Sequence, residues 1–347
     1  MPAPDDQVRL TPGPSIGRRL ARVVAGFGGL LVLVALLAPL AGTTHVSLAR
    51  AFDRSTPFAD NLDAQIFFIA RLPRVVAGAL VGAGLAAAGV VLQALLRNPL
   101  AAPETLGVSF GASVGAMIAI TLLPPTSIGG VPSVSIASFL GSLGALAVVY
   151  ALSVARSRGM SSTVLLLGGV VLTTFLGAVI SFIQYIADFT KTFQTVRWLM
   201  GSLDVGGYVP ILAALVPLAL AAVGYATLPR TLDLITLGPD AAASRGVDVA
   251  RAERVALVSA SLSTGAAVSL GGPIGFIGIV VPHLVRMLVG ADHRLVLPGA
   301  ALLGAAFLIG CDLVARTIVS PIELPVGIVT AVIGGPFFLW LLLRRTR

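Results

Sequence analysis

The chain has 347 residues, of which 56% are hydrophobic and only 11% charged, against roughly 25% charged in an ordinary soluble domain. Its net charge of +8 comes from 22 arginines and a single lysine, Lys191, set against 15 acidic residues. A soluble one-core enzyme is thereby excluded. About 20 apolar residues make one membrane-crossing helix, and this chain holds enough for roughly nine or ten.

In chain order, residues 1–22 are polar, contain proline and glycine, and end in Arg18, Arg19 and Arg22. They read as a disordered cytoplasmic tail. The apolar run 23–42 is longer than the roughly 7–15-residue apolar region of a signal peptide, so it reads as a retained first span. A long outer loop, 43–74, carries Asp53, Asp60, Asp63, Arg71 and Arg74. Further spans are expected over 75–96, 107–123, 134–155, 163–186 and 208–228. An inner loop, 229–254, alternates small, charged and apolar residues, and spans over 255–270, 274–289, 296–318 and 326–343 complete ten. Asn98-Pro99, Pro124-Pro125, Gly129-Gly130, Gly206-Gly207 and Gly271-Gly272-Pro273 supply turn chemistry at the breaks. The expectation is an all-α membrane protein, a polytopic bundle of about ten helices forming one domain over 23–347, because lipid requires each span to satisfy its own backbone polar groups.

Orientation follows from the basic residues. With the N-terminus inside, 16 of the 23 fall in cytoplasmic segments and 7 outside, which places both termini in the cytoplasm.

What the chain lacks narrows its chemistry. Lys191 sits in Thr190-Lys191-Thr192 with no glycine-rich stretch before it, so there is no P-loop and no ATPase activity of the chain's own. Cys311 is alone, and His45, His283 and His293 are far apart in sequence, so neither a disulfide framework nor a metal cage is expected. Proton- or sodium-coupled carriers place acids or histidines at mid-membrane. Here such residues look nearly absent from the spans, with Asp312 and Arg316 forming an i,i+4 pair near the outer end of the ninth. That pattern fits a conduit driven from outside the chain.

Other features bear on packing and pathway. Gly78-x-x-x-Gly82 and Gly111-x-x-x-Gly115 let helices approach closely. The stretch Ser269-Leu270-Gly271-Gly272-Pro273-Ile274-Gly275 interrupts a hydrophobic region, either as a break beside a water-filled path or as a tight turn. Arg71 and Arg74 lie outside, against the positive-inside bias. They read either as a docking site for an acidic partner or as side chains snorkelling to lipid headgroups.

Several motifs in register resemble the FecCD permease family: Arg71-Leu72-Pro73-Arg74, Arg97-Asn98-Pro99-Leu100-Ala101-Ala102-Pro103 and Leu106-Gly107-Val108-Ser109. Then come Gly272-Pro273-Ile274-Gly275-Phe276, Val281-Pro282-His283-Leu284-Val285-Arg286, Asp292-His293-Arg294 and Glu323-Leu324-Pro325. The resemblance covers roughly 20–345. It implies a type II ABC importer permease fold in the bacterial inner membrane, for iron–siderophores, haem or vitamin B12, with ferric siderophore as the leading cargo. It also implies a second permease subunit, identical or not, two cytoplasmic ABC ATPase subunits that bind ATP and Mg²⁺, and an extracytoplasmic substrate-binding protein. No cofactor is expected in this chain, its non-protein neighbour is membrane lipid, and no nucleic acid is involved.

Residue by residue, Arg71, Arg74 and Arg316 match arginines that meet glutamates of the binding protein. The stretch holding Leu237, Gly238, Asp240, Ala242, Gly246 and Val247 resembles the coupling helices that seat in the ATPase. Pro239 and Arg245 depart from that pattern, in place of an acidic residue and a leucine. Ser162 and Thr163 fall where the exit narrows, although Ser161-Ser162-Thr163 also suits a helix cap. Phe110 stands where relatives often carry a small polar residue, which implies a more hydrophobic exit.

Overall fold

The computed structural model describes residues 15–42, 44–155 and 161–345, so the first 14 residues and Arg156 and Arg158 lie outside the described residues. Seven helices among them are long and apolar enough to cross a membrane, and three shorter apolar helices bring the set to the ten expected. The ten are α1 (Ile16–Leu37), α4 (Leu72–Leu95), α5 (Val108–Leu122), α6 (Ser133–Ala155), α7 (Ser162–Ile186), α9 (Val209–Thr227), α12 (Val249–Gly271), α13 (Ile277–Val289), α14 (His293–Thr317) and α15 (Val326–Arg345). Between them lie short helices α2 (Leu48–Ala51), α3 (Leu62–Gln65), α8 (Phe189–Leu199), α10 (Pro229–Ile235) and α11 (Pro239–Ala243), and a two-stranded hairpin, β1 (Ser127–Ile128) with β2 (Val131–Pro132).

Two details differ from the sequence expectation. Helix α1 begins at Ile16, so Arg18, Arg19 and Arg22 are helical rather than part of an irregular tail. Arginine is a good helix former, and its polarity hides the start of the helix from a hydropathy reading. The polar stretch after α7 is also helical: Asp188 caps α8, accepting from the Lys191 N–H at 2.9 Å.

Helix α4 is the axis of the bundle, its residues from Gly84 to Leu95 all buried. Small residues let its neighbours touch it backbone to backbone. A Cβ on Gly82 would lie 2.2 Å from the Gly304 carbonyl oxygen of α14, and one on Gly89 would lie 2.0 Å from that of Gly278 in α13. The second glycine pair packs α5 on α6, where a Cβ on Gly111 or Gly115 would strike the backbone of Gly141 or Ala137 at 2.4 or 2.0 Å. The small-xxx-small patterns are therefore packing devices. In contrast, α1 buries only Val23, and α7 leaves Val170, Phe175, Phe182 and Tyr185 exposed.

Two of the short helices begin from irregular backbone inside the bundle. Residues 98–107 run back from the end of α4 through a 3₁₀ turn, Pro103–Leu106, before Gly107 (φ +75°) opens α5. Residues 272–276 do the same before α13. The two stretches meet: Glu104 Oε1 lies 4.0 Å from the Cβ position of Gly275, and Pro103 Cδ lies 3.2 Å from that of Gly278 at the start of α13. The Thr105 carbonyl oxygen lies 2.3 Å from the Cβ position of Gly169, about 10 Å along α7 from Ser162. Such backbone is tolerated at membrane depth only against protein or a water-filled cavity.

Candidate functional site

At one end of the bundle, the starts of α4 and α15 and the end of α14 bring together Arg71, Arg74, Asp312, Arg316 and Glu323. Arg74 binds Glu323 at 2.6 Å and Asp312 at 3.2 Å, and Arg316 donates to the other oxygen of Asp312 at 2.9 Å. Arg316 also donates to the Ala38 and Ala41 carbonyls at 3.2 and 3.3 Å, while Arg71 donates to Pro39 at 2.7 Å and to Thr44. The cluster thus caps the carbonyls after α1, whose last turn has no intrahelical donors to spare.

This geometry corrects the expectation of exposed rim arginines and of headgroup snorkelling. Arg71 and Arg316 are 5% and 3% exposed and are taken up by internal partners. Arg74 is little more open, its side chain 12% exposed beside a Glu323 that is 45% exposed.

The opposite end holds the 229–248 loop. Gly238 (φ +119°) and Gly246 (φ +81°) bracket α11, and an L side chain would be strained at either position. Leu237 and Asp240 face outward, Val247 is half-buried, and Ala242 is fully buried against Ile235 and Ala252. Ala242 therefore holds the loop together from inside rather than presenting itself to a partner. Asp233 of α10 ties the loop to α14: it lies 2.6 Å from His293 Nδ1 and accepts from the His293 N–H at 3.1 Å. Beside this tie a cavity of about 840 Å³ is lined by Gln93, Arg97, Asp233, His283, Arg286 and Asp292, among others. Arg286 donates to Gln93 there, and Arg294 grips both oxygens of Asp292, hydrogen bonds that hold the Asp292 carboxyl below its usual range.

Between the two ends lies a cavity of about 350 Å³ lined by Glu104, Ser109, Phe110, Ser113, Ile180 and Gly275, among others. Phe110 is half-exposed there, and Ser113 donates to the Ser109 carbonyl at 2.9 Å. At the N-terminal end of α7, the Ser161 hydroxyl accepts from the Val164 N–H at 3.4 Å, which is the capping role. Thr163 is exposed, and the side chain of Ser162 lies outside the described residues.

Glu104 was missed by the sequence reading. It sits in the 3₁₀ turn of the re-entrant stretch, partly exposed into the cavity, while its Oε2 is enclosed without a hydrogen-bond partner among the described residues. The spans themselves hold few acids, but the bundle at their depth holds this one, so a scarcity of buried acids no longer argues against an ion-driven carrier.

Comparison with known proteins supplies what the geometry alone leaves open. The FecCD transport family profile matches residues 30–344. An uncharacterized ABC transporter permease of Bacillus subtilis, YvrB, is 40% identical over 340 residues, covering 95% of each chain. The hemin transport permease HmuU of Yersinia pestis is 40% identical, covering 95% of this chain and 98% of its own. The cobalamin import permease BtuC of Halobacterium salinarum is 46% identical over 79% of this chain and 72% of its own. Among solved structures, an inward-facing metal-chelate type ABC transporter superposes with a TM-score of 0.79 at 34% identity, covering 93% of this chain and 99% of its own. With residues 30–344 matched by the family profile and seven helices among the described residues long and apolar enough to cross a membrane, the chain belongs to the FecCD family and is a multi-pass ABC importer permease.

Proposed function

We propose that this permease carries ferric siderophore complexes across a bacterial inner membrane, with both termini in the cytoplasm; haem and vitamin B12 are the alternative cargos. The reading rests on near full-length matches to a permease named for hemin and to a metal-chelate transporter, and on a match over 79% of the chain to one named for cobalamin. Hemin and cobalamin are themselves chelated metals, so the cargo class is common and the particular chelate is what differs. The orientation is supported by the arginine count and by how the two arginine sets fall: Arg71, Arg74 and Arg316 gather at one end of α4 and α14, and Arg97, Arg286 and Arg294 at the other.

The division of labour follows. Two ATPase subunits bind ATP and Mg²⁺ and seat on the inner loop, where Leu237 and Asp240 offer an apolar and an acidic contact, with Gly238 and Gly246 shaping the turn and Ala242 and Val247 packing beneath it. A second permease subunit covers the aromatic face of α7. Phe110, Ser162 and Thr163 line the narrowing exit, and no cofactor is assigned to this chain. The extracytoplasmic binding protein docks at the arginine end. With Arg71 and Arg316 buried as props, its carboxylate would meet Arg74 by displacing Glu323.

The test is reconstitution in vesicles with the cognate ATPase and binding protein, followed by uptake of labelled ferric siderophore, haem and cobalamin. ATP-dependent uptake of the siderophore alone supports the reading. Uptake of haem or cobalamin instead reassigns the cargo, and uptake driven by an ion gradient without ATP refutes it.

A further inference from the structure

The carboxylate of Glu104 stands apart from the other acids that the fold encloses. Asp312 has two arginines and Asp233 has His293, whereas Glu104 has an oxygen with no partner among the described residues. An ionised group at membrane depth costs several kcal/mol unless it is paired, and where it persists it faces a pathway or a ligand. Glu104 faces such a space. Its cavity is walled by the starts of α5 and α13, by Ile180 of α7 and by Leu199 of α8, on the side of the bundle where α7 and α8 leave Phe182, Phe189 and Phe193 uncovered. The rest of the lining is apolar or hydroxyl-bearing, with no cation among the described residues. Glu104 is therefore the one charged side chain among the described residues of the lining.

Resting on the permease reading above, we propose that Glu104 is a charge-selecting residue of the translocation path, favouring chelates that present ammonium or amide N–H groups and disfavouring polyanionic ones. The physical reason is asymmetric. In either protonation state the carboxyl accepts a hydrogen bond from an N–H donor, and the ionised form gains the partner it lacks. An anionic cargo gains nothing from it and meets repulsion that low surrounding dielectric does little to screen. Cationic and neutral hydroxamate complexes and amide-rich corrinoids satisfy this preference. Tris-catecholate complexes, which are polyanions, and haem, with its carboxylates, do not.

The test reads local charge without needing the cargo. In full-length permease carrying Cys311→Ser, Phe110→Cys places a thiol on the cavity wall, and its labelling rates with cationic and anionic methanethiosulfonate reagents of similar size are compared. Faster cationic labelling, by about tenfold, is expected, with the ratio falling toward unity in Glu104→Gln and inverting in Glu104→Lys. A ratio unmoved by Glu104→Gln overturns the proposal, and so does absence of labelling by either reagent, because the cavity is then closed to solutes. If Phe110→Cys fails to insert, Ser109→Cys supplies a second position on the same wall. Uptake in reconstituted vesicles separates the two layers. Wild-type uptake with an unmoved labelling ratio leaves the permease reading intact and defeats charge selection. Absence of ATP-dependent chelate uptake with the expected ratio defeats the permease reading alone.

Discussion

The arginine cluster at the ends of α4 and α14 and the Glu104 cavity both place charge inside a bundle built of apolar helices, yet they are opposite in kind. In the first, two carboxylates and three guanidinium groups pair with one another and with carbonyls after α1, with the Arg74 Nε left over among the described residues. In the second, one carboxylate stands in a cavity with an unmatched oxygen. A matched cluster fixes helix ends. An unmatched group leaves free energy to be gained when something arrives.

The largest way to break this contrast is Asp312→Ala. It leaves Arg74 with Glu323 and Arg316 with the Ala38 and Ala41 carbonyls, and removing one partner of a buried pair costs about 3–5 kcal/mol. Thermal unfolding of the detergent-solubilised permease should show a large loss. A loss within the error of a surface substitution would mean the cluster is not a clamp. Next comes Gly82→Val, which asks whether backbone packing holds α4 to α14 as firmly as the charges do. Its Cβ would meet the Gly304 carbonyl at 2.2 Å, an overpacking expected to cost about 1–3 kcal/mol, whereas Gly144→Val, with open space at the Cβ position, should be far milder.

Much of this architecture is legible in sequence, for a physical reason: membrane helices announce themselves by hydropathy and end at proline and glycine. Spans two to ten fall within a few residues of their expected limits, apart from the longer start of α12. What was illegible depends on partners distant in sequence. Arg71 and Arg316 look like rim residues because the groups that bury them are the carbonyls of Ala38, Pro39, Ala41 and Thr44, and a carbonyl has no sequence signature. Ala242 reads as one alanine of three, and only the fold turns it inward against Ile235. Glu104 falls between the spans expected over 75–96 and 107–123, and the inward return of 98–107 is decided by packing on Gly278 and Gly169.

A smaller perturbation sharpens the contrast at the edge of the matched cluster. Glu323→Gln removes the exposed carboxylate from Arg74 while leaving Asp312 in place. Exposed pairs contribute about 0–1 kcal/mol, so stability should change little. Affinity for the binding protein should rise, because its carboxylate no longer competes with Glu323. Unchanged or weaker docking, measured by titration of the binding protein onto the permease, would remove Arg74 from the docking face.

The smallest expected change in stability is at Glu104, and there its sign matters more than its size. Glutamine keeps the shape of the side chain and removes the charge. For a carboxylate serving the fold, as Asp312 does, that exchange would be destabilising, because matched donors would lose their acceptor. Glu104 has no donor facing its Oε2 among the described residues, so the exchange should be neutral or stabilising by up to about 1 kcal/mol, since a desolvated charge is given up for a neutral amide. The same substitution is expected to move the labelling ratio of the cavity. Stability that holds while charge selection fails is the mark of a residue kept for what passes it. A clear loss of stability in Glu104→Gln would instead place Glu104 with Asp312, among the groups that hold the helices together.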